Sequence, residues 1–378
     1  MGPEKKADNV EPSNRNECEA AFDICDLRSD IDAIDEKILQ LINRRLKLAQ
    51  KIGSVKKQSG TQVVDSKREN EILDRLTALN QGPLSSNALN HIFIDIISAA
   101  RALQQSQSVA FLGPKASFSH ISCVQNFGHA MTYVSQSTIR DLFYEVEKGA
   151  CQYGIVPVEN SVEGSVRHTL DLFFESDLKI CAERYQTVSY DLISKNGNLK
   201  NVEVVYAHFQ AIVQCRNWLR RHFPHVPIEE CGSSTRAIKK AIENEKAAVI
   251  AGHDAAAMLG LEVIASKIED FSTSATRFLV IGKEDVGPSG KDKTSLMFAL
   301  SHTPGVLSQV LAPFAGRKIN LVKIESRPTR HENWSHFFFV DIEGHMQDEM
   351  IKDTVTQIKP LCLYFKWLGS YPLATIQL

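Results

Sequence analysis

A chain of 378 residues exceeds one ordinary domain and predicts two or three. Its 43% hydrophobic and 23% charged content is that of a globular protein, and a formal charge of -2 leaves no basic footprint for nucleic acid, so the expected partners are small molecules. No uninterrupted apolar run is long enough to span a bilayer, which predicts no membrane partner.

Residues 1–20 read as a polar tail without a signal-peptide pattern, which predicts a cytoplasmic protein. From Leu27 the apolar residues then step by four and three through Ile31, Ile34, Ile38 and Leu41, and again through Leu48, Ile52 and Val55. This pattern predicts one long helix packing against other helices, with Gly53 as its weak point. The position due between Leu41 and Leu48 is Arg45. An unpaired buried guanidinium costs several kcal/mol, so Arg45 needs an acidic side chain or a bound anion. On an ideal helix Lys56 lies about three turns from Arg45 and roughly 20° off, pointing into the same face, whereas Arg28 lies about 25 Å away and roughly 100° round. Arg28 can join that pocket from a second copy packed antiparallel. The residues alone also fit a structural network with Asp35, Asp65 or Glu69.

Asp65 stands as the cap of a second helix through Leu79, Gln81-Gly82-Pro83 breaks it, and Ser85 or Ser86 caps a third. The block LRSDIDAIDEKILQLINRRLKLAQKIGSVK, the D-x-x-R-E of Asp65, Arg68 and Glu69, and Gln104 on the third helix closely resemble the all-helical chorismate mutases over residues 21–106. The resemblance implies a helical dimer that turns chorismate into prephenate. Arg28 of one protomer and Arg45 of the other would hold the two carboxylates, and Lys56 and Gln104 would donate to the ether oxygen. Asp65 and Glu69 would hold the substrate hydroxyl or the protonated groups around it, with Arg68 in the same substrate-binding set. A pericyclic step needs only a compact conformer and donors aimed at the oxygen gaining charge, so cations suffice. Ala100 stands where that family often has a serine, which implies one lost hydroxyl contact.

From Ser108 short apolar runs alternate with capped helical segments: VAFLG then 118–127, MTYV then 137–148, YGIVPV then 161–174. The rhythm resumes with VEVVYAH then 210–221, IEECGSS with a helix capped by Ser234, and AAVIAG then 253–259. Two winding segments predict two lobes, joined by an extended crossing at 180–194 and a return through TRFLVIG. In VPVENSVEGSV, Asn160 and Ser161 fall at an expected helix N-terminus with Gly164 and Ser165 in its first turns, an end suited to an anion, although Asn and Ser are also ordinary caps.

Taken together, FLGPKASFSH, GIVPVENSVEGSV, Ala207-His208-Phe209-Gln210 and TRFLVIG resemble the prephenate dehydratases in order and spacing over residues 107–284. The resemblance implies a cleft between two lobes, as in periplasmic binding proteins, and loss of carboxylate and ring hydroxyl from prephenate to give phenylpyruvate. It makes Thr276 of the T-R-F motif essential. A threonine hydroxyl is a weak acid, so Thr276 reads as the hydrogen-bond donor to the departing oxygen, backed by a better acid. Glu159 and His208 are the candidates, and Glu159 reads equally as a residue that merely caps or pairs at the strand end. Asn160, Ser161 and Arg277 suit the substrate carboxylates, and Gly164, Ser165, Gln210 and Phe278 complete the expected site. The family usually reads S-H-P-Q at 207–210, so the loop shape there is open while His208 and Gln210 stand in place.

Residues 285–292 have linker composition. Residues 293–378 follow with the order βαββαβ, a ferredoxin-like plait whose first helix is opened by Thr303-Pro304. With Gly305-Val306-Leu307 at that helix and Glu325-Ser326-Arg327-Pro328 ending the second strand, the module resembles the ACT regulatory domains of the same dehydratases. This implies L-phenylalanine bound at those residues and feedback by a population shift. The expected whole is multidomain: an all-α mutase, an α/β two-lobed dehydratase and an α+β ACT domain, working as a homodimer or dimer of dimers. Eight scattered cysteines without a C-x-x-C pair predict neither disulfides nor zinc, and no cofactor is expected. Two rivals remain: a dehydratase whose helical block is degraded and only dimerises, and a non-catalytic phenylalanine sensor.

Overall fold

The computed structural model describes residues 24–59, 66–104, 107–162, 164–252, 255–256, 260–270, 274–328 and 336–374. Asp65, the 1–20 tail and most of the expected 253–259 helix lie outside the described residues. The chain opens with three helices, α1 (Ile24–Ser59), α2 (Ser66–Leu79) and α3 (Ser86–Gln104). α1 runs unbroken for 36 residues. Ser85 caps α3, its hydroxyl accepting the Ala88 N–H at 3.2 Å. Gly53 is no weak point: a Cβ there would stand 2.5 Å from Gln104 Cγ, so its missing side chain lets α3 close on α1. Along α1 the apolar stripe faces outward, with Ile38 48% and Leu41 63% exposed.

The lobed region begins with β1 (Ser108–Leu112), α4 (Phe118–Phe127), β2 (Thr132–Gln136), α5 (Ile139–Glu147), β3 (Tyr153–Asn160), the short β4 (Gly164–Ser165), α6 (Arg167–Glu175) and β5 (Lys179–Thr187). The chain crosses into β6 (Tyr190–Ser194), β7 (Val204–His208), α7 (Phe209–Gln214), α8 (Arg216–His222), β8 (Ile228–Cys231), α9 (Ser234–Glu243), β9 (Ala247–Gly252) and β10 (Glu262–Ala265), and returns as β11 (Ala275–Gly282). The first sheet has the order β2-β1-β3-β11-β5 and the second β10-β6-β9-β7-β8. Val188 N–H donates to Ser274 O at 2.8 Å, so the two crossings run side by side.

Three local expectations change. The helix expected at 210–221 breaks at Cys215 into α7 and α8, and Ser233, not Ser234, caps α9. The helix expected from Ser161 does not form. Gly164 takes φ +81° and the Asn160 side chain accepts the Val162 N–H at 2.9 Å, which folds β4 back on β3 and delays α6 to Arg167.

The last domain contains β12 (Asp292–Leu300), α10 (Val306–Gly316), β13 (Leu321–Pro328), β14 (His336–Glu343), α11 (Glu349–Ile358) and β15 (Tyr364–Pro372), with antiparallel order β13-β14-β12-β15. Gly305, left-handed at φ 85°, takes the cap position of α10 in place of Thr303. One sheet face packs Leu296, Phe298, Val340 and Ile342 against the helices. The other merges Met297, Phe339, Leu368 and Tyr371 with Phe143, Phe173 and Leu279 of the first lobe. The linker composition therefore does not mean a loose tether. Gly369, at φ +150°, brings β15 against β5 so closely that a Cβ would stand 2.3 Å from Ile180 O. Backbone cannot swing aside, so Gly369→Ala is expected to cost about 3 kcal/mol from overpacking and strain. Urea unfolding followed by tryptophan fluorescence would show it, and an unchanged midpoint would mean the docking is not this tight. No described helix is long and apolar enough to cross a membrane.

Candidate active sites

In the helical block, Arg45 Nη1 and Gln104 Oε1 are buried without a hydrogen-bond partner among the described residues. Burial pulls the Arg45 pKa below its ordinary value while nearby Glu69 pulls it back. Glu69 itself is gripped through both oxygens by Arg101 of α3, a residue the sequence reading missed. Arg101 is 7% exposed and lies over the Phe127 ring at 5.8 Å, so it ties the helices to the next domain. A buried cation in an otherwise apolar helix face was the available signal. Lys56 lies farther along α1. Arg28 and Arg68 do not join this group within one chain: both are exposed, and Arg68 pairs with Glu71 at 3.1 Å.

In the lobed domain, Asn160 and Thr276 are opposite one another in the β3–β11 ladder, and Asn160 Nδ2 donates to Thr276 Oγ1 at 2.9 Å. The β1 and β3 ends lie at this edge of the first lobe. The C-terminal ends of the parallel β7, β8 and β9 face it from the second lobe: the Phe118 ring stands 5.7 Å from Tyr190, and a Cβ on Gly252 at the end of β9 would lie 3.1 Å from Phe118. Such strand ends are where open α/β folds bind ligands. His208 sits there at the end of β7, and its Nδ1 accepts the Gln210 N–H at 3.4 Å. Ser161 Oγ accepts the Ala275 N–H at 2.9 Å and closes the turn onto β11. Gln186, paired with Thr276 on the other side, was not anticipated; its Oε1 is buried without a partner among the described residues. Its place one strand from T-R-F could be found only from the register.

Five expected site residues lie elsewhere. Glu159 pairs with Arg277 and with Ser165 in the ladders, so strand alternation turns all three to the face opposite Thr276. Arg277 is 3% exposed and donates to Glu183 at 2.9 Å, Asp341 at 2.6 Å and Tyr371 at 3.0 Å. Burial works against its charge, yet Tyr371, Asp341 and Glu183 hold its pKa above the ordinary arginine value. Its expected contact with a substrate carboxylate is replaced by this domain contact. Glu159 lies 2.7 Å from Lys323, and Ser165 donates to Glu325 at 2.7 Å. Phe278 shares Thr276's side of the sheet but is 2% exposed in the core with Phe111 and Val280. Gly164 is exposed in the turn.

In the last domain Leu300, His336 and Pro328 are aligned across the sheet. The Gly305 turn, with Val306 and Leu307, therefore lies at the same end as Glu325–Pro328, with about 10 Å between their strands. Ser326 and Pro328 are exposed, whereas Glu325 and Arg327 turn to the lobed domain, Arg327 reaching Asp171 at 3.1 Å. Half of that expected effector segment thus makes domain contacts.

Family models match the three parts: chorismate mutase type II over residues 27–105, prephenate dehydratase over 109–286 and the ACT domain over 294–359. The class is a helical mutase joined to a two-lobed dehydratase and a regulatory plait. A protein of Aquifex aeolicus (strain VF5) named bifunctional chorismate mutase/prephenate dehydratase is 43% identical over 356 residues, covering 93% of this chain and 98% of that one. Its namesake in Escherichia coli (strain K12) is 30% identical over 368 residues, covering 92% and 95%. The solved prephenate dehydratase of Arthrobacter aurescens in complex with L-Phe has a TM-score of 0.65 and 30% identity over 71% of this chain and 90% of its own. That of Staphylococcus aureus subsp. aureus Mu50 has a TM-score of 0.63 and 26% identity, over 70% and 99%. The chain belongs to the bifunctional chorismate mutase/prephenate dehydratases.

Proposed function

We propose that the two activities of this family reside in two separate sites of the chain, the first of which is completed by a second copy. In the helical block the reading is that Arg45 and the partner's Arg28 bind the carboxylates of chorismate. Lys56 and the Gln104 amide then donate to the ether oxygen as its bond to the ring breaks and the new C–C bond forms. The unpartnered polar atoms of Arg45 and Gln104 support a ligand there, and the outward apolar stripe of α1 supports a dimer, since so long a row rarely stays in water. A homodimer, or a dimer of dimers, in the cytoplasm is the working assembly.

In the lobed domain the electrons of prephenate's C–carboxylate bond flow into the ring as CO2 leaves, and the ring hydroxyl departs with its bonding pair and gains a proton to become water. Asn160 donates to Thr276 Oγ1, so the threonine's own proton is directed outward, to the departing hydroxyl. This hydrogen bond is the observation that carries the dehydratase reading. With Glu159 on the opposite face, His208 is the remaining candidate acid, and Ser161, Gln186 and Gln210 stand near the carboxylates. L-Phenylalanine would bind the last domain at the Gly305 turn and Ser326–Pro328 and favour a less active arrangement. Supplying chorismate and following prephenate and phenylpyruvate together tests the whole. Both should appear in sequence, and Lys56→Ala should stop only the first step. Turnover of prephenate without turnover of chorismate would leave the helical block a dimerisation device.

A further inference from the structure

We infer that the regulatory sheet is the rear wall of the dehydratase site, and that Glu159 and Arg277 are positioning residues through which it sets the geometry of Asn160 and Thr276. The inference rests on the reading of Asn160 and Thr276 as the reacting pair.

Asn160–Thr276 and Glu159–Arg277 are successive rungs of one ladder. The first rung faces the cleft; the second faces the regulatory sheet, and both of its members are gripped from that sheet. Lys323 of β13 holds Glu159 at 2.7 Å and donates to Ser165 Oγ at 3.2 Å. Asp341 of β14 and Tyr371 of β15 hold Arg277. Behind them every proton has a place: Ser295 donates to Asp341 at 2.5 Å, which leaves Tyr371 to donate to Ser295 at 2.7 Å. Glu183, which takes two donors from Arg277, also takes Lys293 at 2.8 Å.

The docking does not need these charges, because the shared apolar core already joins the two domains. Two cations and two carboxylates, Arg277, Lys293, Glu183 and Asp341, are each 7% exposed or less, and buried pairs of this kind are often no better for stability than apolar replacements. What they add is a fixed register with no slack. The catalytic hydroxyl sits one residue from this clamp, and displacements of about 1 Å are enough to cost roughly a hundredfold in rate. Lys323 also lies on the strand that ends in Glu325–Pro328, so a change at that end reaches Glu159 along a single strand.

The test compares Asp341→Asn, Lys323→Met and Lys323→Arg with the native chain, measuring dehydratase kcat and KM, inhibition by L-phenylalanine, and mutase activity in the same preparations. Lys323→Met leaves only a partly exposed carboxylate unpaired, so it keeps the test open if Asp341→Asn does not fold. The expected result is a dehydratase kcat about tenfold lower with KM nearly unchanged, weaker phenylalanine inhibition, intact mutase activity, and recovery in Lys323→Arg. Native kcat and native inhibition in folded variants would overturn the inference, as would equal losses of both activities, which would make the charges structural only. Thr276→Val, measured alongside, separates the two readings: if it keeps dehydratase activity, the assignment of the reacting pair fails, whatever the other variants do.

Discussion

Thr276→Val should lower dehydratase kcat by about 10²–10³ with KM little changed, because a donor aimed at charge developing in the transition state acts on kcat. Valine keeps the shape and β-branching that suit the strand and removes only the hydroxyl. Asn160 Nδ2 then loses this acceptor, a structural cost of about 1 kcal/mol for a part-buried donor, so folding must be checked by thermal unfolding. Thr276→Ser restores the donor and should recover most of the rate, within about tenfold of native, since only the rotamer restriction is lost. Mutase activity, on a separate set of helices, should not move. Phenylpyruvate formation from prephenate reads the effect directly. If the valine variant retained more than about a third of native kcat, the hydroxyl would not be the donor to the leaving group.

Arg28→Ala and Arg45→Ala should each cost mutase about 10²–10³ in kcat/KM, yet an equal mixture of the two chains should recover about a quarter of native activity. The reason is geometric. α1 is one continuous helix, so Arg28 and Arg45 of one chain stay about 25 Å apart and cannot meet in one pocket. In a mixed dimer one site receives both substitutions and the other neither. With random exchange half of the dimers are mixed and each has one of two sites native, which gives the quarter. The mixing must follow mild unfolding and refolding so that protomers exchange. No recovery in demonstrably mixed dimers would place both arginines in one chain's site, and the two-protomer reading would be wrong.

The helical block was legible because its signals are local. A period of 3.6 residues, a serine cap and a proline break need no knowledge of what lies beyond, and α1, α2 and α3 follow them. The lobed domain was legible in rhythm and less so in detail. At 161–174 the caps and apolar spacing suit a helix, but the hairpin made by Asn160 and Gly164 competes for the same residues and wins, because it lets β4 join an existing sheet. The T-R-F motif shows the limit most plainly. Three adjacent residues read as one site, yet Thr276 meets Asn160 at the cleft, Arg277 enters a buried charge cluster with the regulatory sheet, and Phe278 fills the core. Alternation predicts that Thr276 and Arg277 diverge, but which face is the cleft depends on what covers each side of the sheet.

Sequence by itself determined the helical period of the first block, the strand-and-helix rhythm of the second and the βαββαβ order of the third. These follow from periodicity, capping and charge, which act over a few residues. Only the tertiary structure decided that Glu159, Ser165 and Arg277 face the regulatory domain, that Gln186 stands beside Thr276 and Arg101 grips Glu69, and that the regulatory sheet is fused to the first lobe through a common core. Those facts rest on strand register and on which apolar faces cover one another, contacts between residues far apart in the chain that no local pattern encodes.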